Sequence, residues 1–156
     1  FDGTNLMPEA SPSAEGLWEL PAEGELATNG SFTTDSNWTK SNTTISNGVL
    51  NFASSGSAKY AFQDSVVEPG VSYVIKLTVV RTSGTLKLLL GTSGSGVSGI
   101  SDITASGTYT FTTPPLTSTE AGSGRFWAGY TGASDNFVGT VDNVSVTEYA
   151  IIPKNV

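Results

Sequence analysis

Asp64, Glu68, Asp102 and Asp135 are carboxylates that could do acid–base chemistry, and hydrolysis of a glycosidic bond would need two of them on opposite sides of that bond. All four fall in or near turns, and nothing in their spacing sets a pair across a shared cleft. The chain has no histidine and no cysteine. That removes Ser-His-Asp hydrolysis, thiol nucleophiles, and imidazole or thiolate metal ligands together. Gly94-Ser95-Gly96-Val97-Ser98-Gly99 matches the dinucleotide fingerprint and follows an apolar run. Residues 100–108 beyond it show no helical period, so no helix N-terminus is expected there to take a pyrophosphate. A protein that is not an enzyme is expected.

The remaining chemistry is recognition. A sugar-binding face needs aromatic rings that lie against a pyranose, with a few polar groups around them. In the run 124–130, Phe126, Ala128 and Tyr130 share one face of a strand, and Arg125, Trp127 and Gly129 share the other. If the first set faces the core, Trp127 and Arg125 project outward. Lys59, Gln63 and Lys76 read as outward on other strands and complete the candidate glycan contacts. The competing reading buries Trp127 under a loop or against the N-terminal segment, as large aromatics are usually buried.

The elements that must position these residues are strands. Eighteen glycines, seven prolines and many Ser and Thr describe short strands and frequent turns. Asn47-Gly48 between two short runs signals a hairpin. In residues 58–67, Tyr60 and Phe62 alternate with Lys59, Ala61 and Gln63, the pattern of a half-buried strand. Residues 71–80 form the strongest strand, with Val71, Tyr73, Ile75, Leu77 and Val79 on one face, and it should be central in its sheet. The closing run Phe-Val-Gly-Thr-Val-Asp-Asn-Val-Ser-Val changes phase: Phe137 and Val141 are odd-numbered, Val144 and Val146 even. Strict alternation cannot face all four into one core, so one extra residue is required, and Asp142-Asn143 is the place for that bulge.

Residues 1–28 are a separate zone. They hold six of the fourteen acids, Asp2, Glu9, Glu15, Glu19, Glu23 and Glu25, and no Lys or Arg. The rest of the chain carries eight acids against seven bases, so all but one of the seven net negative charges belong to this arm. Clustered cations for a phosphate backbone are lacking, and nucleic acid is not an expected partner. No apolar run reaches the roughly 20 residues of a membrane span, so a soluble chain without a membrane partner is expected. Opening on Phe1, it reads as a processed product or a piece of something longer. Leu17, Trp18 and Leu20 make the arm more apolar than a solvating tail, which points to docking on a partner surface.

Asn29-Gly30-Ser31-Phe32 followed by Trp38, then Val66-Val67-Glu68-Pro69-Gly70-Val71-Ser72-Tyr73, and finally Val141-Asp142-Asn143-Val144-Ser145-Val146 form a set of landmarks. In order and spacing they resemble the carbohydrate-binding-module jelly rolls of the family 4, 9 and 22 group. The resemblance implies an all-β, two-sheet antiparallel β-sandwich, jelly roll and galactose-binding-like, over residues 29–148, with the arm before it and a tail at 149–156. Similar modules stand beside catalytic domains of secreted glycan-degrading enzymes and in phage tail, fibre and head-decoration proteins. The acidic arm and cysteine-free makeup favour the virion setting: a display or adhesion module on a virion surface or otherwise extracellular, bound to assembly proteins through its arm. The alternative is the glycan-binding module of a secreted polysaccharide-degrading enzyme, with a host or environmental glycan as partner. A homo-oligomer fits either. No cofactor is required, but the resemblance implies a structural calcium where first and last strands meet, with Asp142 at the acidic position and Asn29 at the opening one. The alternative for Asp142 is a bond to its own bulge backbone.

Overall fold

A computed structural model describes residues 17–19, 24–53, 58–91, 99–130, 136–149 and 151–153, with the backbone alone given for 17–19, 130 and 151–153. Its strands are β1 (Leu17–Glu19), β2 (Thr39–Ser41), β3 (Thr43–Ser46), β4 (Val49–Phe52), β5 (Lys59–Gln63), β6 (Ser72–Ser83), β7 (Leu88–Leu90), β8 (Gly107–Thr112), β9 (Phe126–Tyr130), β10 (Val138–Tyr149) and β11 (Ile151–Pro153). A five-stranded sheet in the order β3-β4-β10-β6-β8 faces a four-stranded sheet in the order β2-β5-β9-β7. All described pairings within the two sheets are antiparallel. The expected two-sheet sandwich is therefore present.

The core lies between the sheets, where inward positions of β6 meet those of β9 and β7. Tyr73, Ile75, Leu77 and Val79 are buried on β6, which runs between β10 and β8 as a central strand. Phe126 and Ala128 oppose them from β9, and Leu88 and Leu90 from β7. The β3–β4 connection is the two-residue turn Asn47-Gly48, with Ser46 paired to Val49 and both turn residues at positive φ, 54° and 73°.

The phase change in β10 is a bulge. Asp142 pairs with Thr78 and Ser145 with Lys76, so three steps on β10 match two on β6. Asn143 takes the left-handed conformation at φ 52°, and Asp142 Oδ1 accepts from the Asn143 amide at 2.7 Å. The extra residue lets Phe137, Val141, Val144 and Val146 all face the core.

The landmark Asn29-Gly30-Ser31-Phe32 seats on this bulge. The Val144 amide donates to Gly30 O, and Phe32 packs at a tilt against Trp38 with centroids 5.3 Å apart. Residues before Asn29 also belong to the sandwich. The Leu26 amide donates to Val146 O, Ala27 is buried, and the Glu25 carboxylate accepts from the Val146 amide and the Ser145 hydroxyl, both at 2.6 Å. Contacts of the sandwich therefore reach back past residue 28 to Glu25, whose carboxylate bonds β10 just beyond its bulge. Within the arm, Leu17–Glu19 pairs with Ile151–Pro153 as a two-stranded antiparallel ribbon.

A single turn of helix, α1 (Ser118–Ala121), was not expected. It is set by a capping box in which Thr117 and Glu120 satisfy each other's backbone amides, a signature legible in Thr117-Ser118-Thr119-Glu120.

Candidate functional site

The outer face of the four-stranded sheet is apolar as well as the inner. In β9, Phe126 and Ala128 go inward, which sends Trp127 out. Its cross-strand neighbours are Phe62 on β5 and Leu89 on β7, and Thr39 on β2 extends the row beyond Phe62. Phe62, Leu89 and Trp127 form a cluster separate from the main core, with half-buried Tyr60 packed against it. The rings of Phe62 and Trp127 are 4.4 Å apart, and Tyr60 meets Trp127 edge-on at 5.2 Å. Trp127 is 4% exposed, its indole N–H donating to Gly91 O at 2.6 Å. It is not a displayed ring. Burial, the competing sequence reading, is what the structure shows, and Tyr60 is the more accessible aromatic of this face.

Beside Tyr60 the sheet carries Ser41 on β2 and Gly129 on β9. Gly129 has φ 92°, and a Cβ there would lie 2.3 Å from Lys59 O. Glycine is required on both counts, and the flank of Tyr60 is left without a side chain. Arg125 shares the face: its guanidinium lies over Phe62 at 4.2 Å and pairs with Asp64 at 2.5 Å. Lys87 lies 4.0 Å from Asp102.

Two of the residues read as outward beside Trp127 are inward. Lys59 and Gln63 share the inner face of β5 with Ala61 and are buried, while Tyr60 and Phe62 take the outer face. Both polar tips are satisfied by backbone: Lys59 Nζ donates to Ala53 O at 2.9 Å, and the Gln63 amide bonds the Thr28 amide and carbonyl. Burial holds the Lys59 ammonium below its usual pKa. Lys76 is exposed, but on β6 of the other sheet, so it cannot join Trp127. Of the five glycan candidates, the structure brings together only Arg125 and Trp127.

The sequence reading missed Tyr60, Phe62, Leu89 and Asp64 as members of this face. Leu88-Leu89-Leu90 carried the signal, since three consecutive apolar residues in a strand mean that both of its faces are covered.

At the calcium position, Asn29 turns its amide N to Thr34 O and Ser36 O, and its Oδ1 accepts from the Thr33 amide. Asp142 caps its own bulge. No group of three or more acidic side chains that could hold a metal occurs among the described residues. As held here, these two side chains do not fit a calcium shell of about six to eight oxygens. Of the docking residues, Leu17 and Trp18 lie in β1 and Leu20 lies outside the described residues.

No protein-family model matches the chain, and no curated protein sequence does. Among solved structures, the second N-terminal cellulose-binding domain of Cellulomonas fimi β-1,4-glucanase C aligns with a TM-score of 0.51 and 21% identity over 85% of this chain and 99% of that one. The first cellulose-binding domain of the same enzyme gives 0.43 and 18%, covering 77% and 90%. A CBM35 module from Paenibacillus barcinonensis gives 0.46 and 16%, covering 72% and 94%. The fold is that of a carbohydrate-binding-module-like jelly roll.

Proposed function

We propose that the chain is a non-catalytic glycan-binding module whose ligand lies on the outer face of the four-stranded sheet. The observation that carries this reading is the aromatic row of Phe62 and Trp127 with Tyr60 at its accessible flank, placed outside the core where stability alone asks for polar residues. Tyr60 offers a half-buried ring whose neighbour on β9 is the side-chain-free Gly129, and Ser41, Thr39 and Arg125 supply donors and acceptors for hydroxyls around it. Two cations of this face stand against acids, Arg125 with Asp64 and Lys87 with Asp102, and beyond residue 28 the chain carries eight acids against seven bases. A neutral polysaccharide therefore suits it better than an acidic one. A cellulose-binding domain shares the fold, so soluble β-1,4-glucans are the first ligands to try.

Affinity electrophoresis against a panel of neutral and acidic polysaccharides tests the reading. Binding to at least one neutral glycan is expected, and Tyr60→Ala should abolish it in a chain that still unfolds cooperatively, with a melting temperature lowered only by the loss of its packing on Trp127. Absence of binding across the panel would overturn the proposal.

The virion setting rests on the arm. Since Leu17–Glu19 finds its partner strand in the same chain, the sugar face is the stronger ground.

A further inference from the structure

Arg125 lies on the aromatic row instead of extending into solvent. Its Cζ is 4.2 Å from the Phe62 centroid and 5.6 Å from that of Trp127, while its Nε donates to Asp64 Oδ1. Beneath it, Phe62 is 8% exposed although it stands on the outer face of a sheet. We infer that Arg125 is a removable cap over a concealed second subsite, and that a pyranose ring displaces the guanidinium to stack on Phe62 and Trp127 beside Tyr60. This rests on the glycan-binding reading and adds to it a closed and an open state of the same face.

The cap is held by contacts of a weak kind. A guanidinium over a ring at the surface, and an ion pair whose side chains stay 35% and 59% exposed, both compete with water. The surface below is held more firmly. Trp127 is fixed by its strand, by Tyr60 and by the bond to Gly91 O, and Phe62 by its strand and the indole. Swinging Arg125 aside thus uncovers a preformed floor rather than unfolding one. The exchange is balanced. The flat guanidinium gives way to the apolar face of a sugar, neither charge is stranded in the interior because both side chains reach water, and the freed N–H groups can meet hydroxyls at the rim.

Asp64→Ala loosens the cap without altering a ring. In a Trp18→Phe, Trp38→Phe background Trp127 is the sole tryptophan of the three, and its fluorescence reads the cap directly. Without sugar, acrylamide should quench Trp127 more strongly in Asp64→Ala, and at least as strongly in Arg125→Ala. Fluorine NMR of the fluorotryptophan-labelled chain with all three tryptophans kept gives the same reading should the double background fail to fold. Affinity for the neutral glycan should rise roughly two- to fivefold in Asp64→Ala, within the ratio an exposed ion pair represents. Equal accessibility of Trp127 with and without Asp64 would overturn the cap. A glycan that binds yet leaves Trp127 unprotected from acrylamide would overturn the subsite while leaving the glycan reading in place. Uncapping with no glycan bound by any variant would instead sink the glycan reading, and the subsite with it.

Discussion

Gly30 and Val144 touch backbone to backbone, with the Val144 amide donating to Gly30 O at 2.9 Å and the Val144 carbonyl over the Gly30 Cα. This contact ties the start of the sandwich to the bulge in its last long strand. A Cβ on Gly30 would lie 1.9 Å from Val144 O, and a backbone atom inside a sheet has little room to retreat. Gly30→Ala should therefore cost about 3 kcal/mol, the upper part of the overpacking range, in urea unfolding. A loss under about 1 kcal/mol would show that the bulge shifts freely.

Two truncations separate the arm from the domain. Removing residues 1–23 should leave a folded sandwich with nearly the full melting temperature. Removing residues 1–28 also takes away buried Ala27, the Glu25 bonds to Ser145 and Val146, and the Thr28 partner of Gln63, and should lower stability clearly. Glu25→Ala alone should cost about 1 to 2 kcal/mol, in line with charge-assisted bonds at a partly exposed site. Equal melting temperatures for the two truncations would put the boundary back at Asn29.

Calcium is addressed by the same melting experiment. Because Asn29 Oδ1 accepts from the Thr33 amide and Asp142 Oδ1 from the Asn143 amide, chelator followed by excess calcium should leave the melting temperature unchanged. A fall with chelator that calcium reverses would mean that these side chains turn from backbone to metal when the ion is present.

Lys59 gives a pH dependence of definite sign. Its folded pKa lies below the 10.5 of an unperturbed lysine because burial disfavours the ammonium, so between the two values the unfolded chain holds more protons. Stability from this group accordingly rises with pH across that interval. Tyr73 works the other way: burial raises its pKa above 10.0, and its contribution is lost as pH climbs past that value. Comparing wild type with Lys59→Met at each pH cancels Tyr73. The substitution should stabilise near neutrality, and its advantage should shrink toward pH 10.5. A constant difference at all pH values would show that Lys59 keeps its water.

The sequence by itself determined whatever depends on period and local chemistry. Strand β6 could be oriented because one face held Tyr73, Ile75, Leu77 and Val79 and the other held Lys76 and Thr78. The bulge at Asp142-Asn143 followed from parity, since apolar residues that change phase within a strand leave only one remedy. Strand β5 was different. Its two faces, Tyr60 with Phe62 and Lys59 with Ala61 and Gln63, were visible, but which one met the core was not. Its sheet is apolar on both sides, so alternation separates the faces without ranking them. The partners that make Lys59 and Gln63 tolerable inside are backbone groups of Ala53 and Thr28, the second 35 residues away. Only the tertiary structure could bring these together, and in doing so it turned Tyr60 and Phe62 outward to meet Trp127. Burying a polar side chain depends on what it meets there, and a strand pattern carries no record of that meeting.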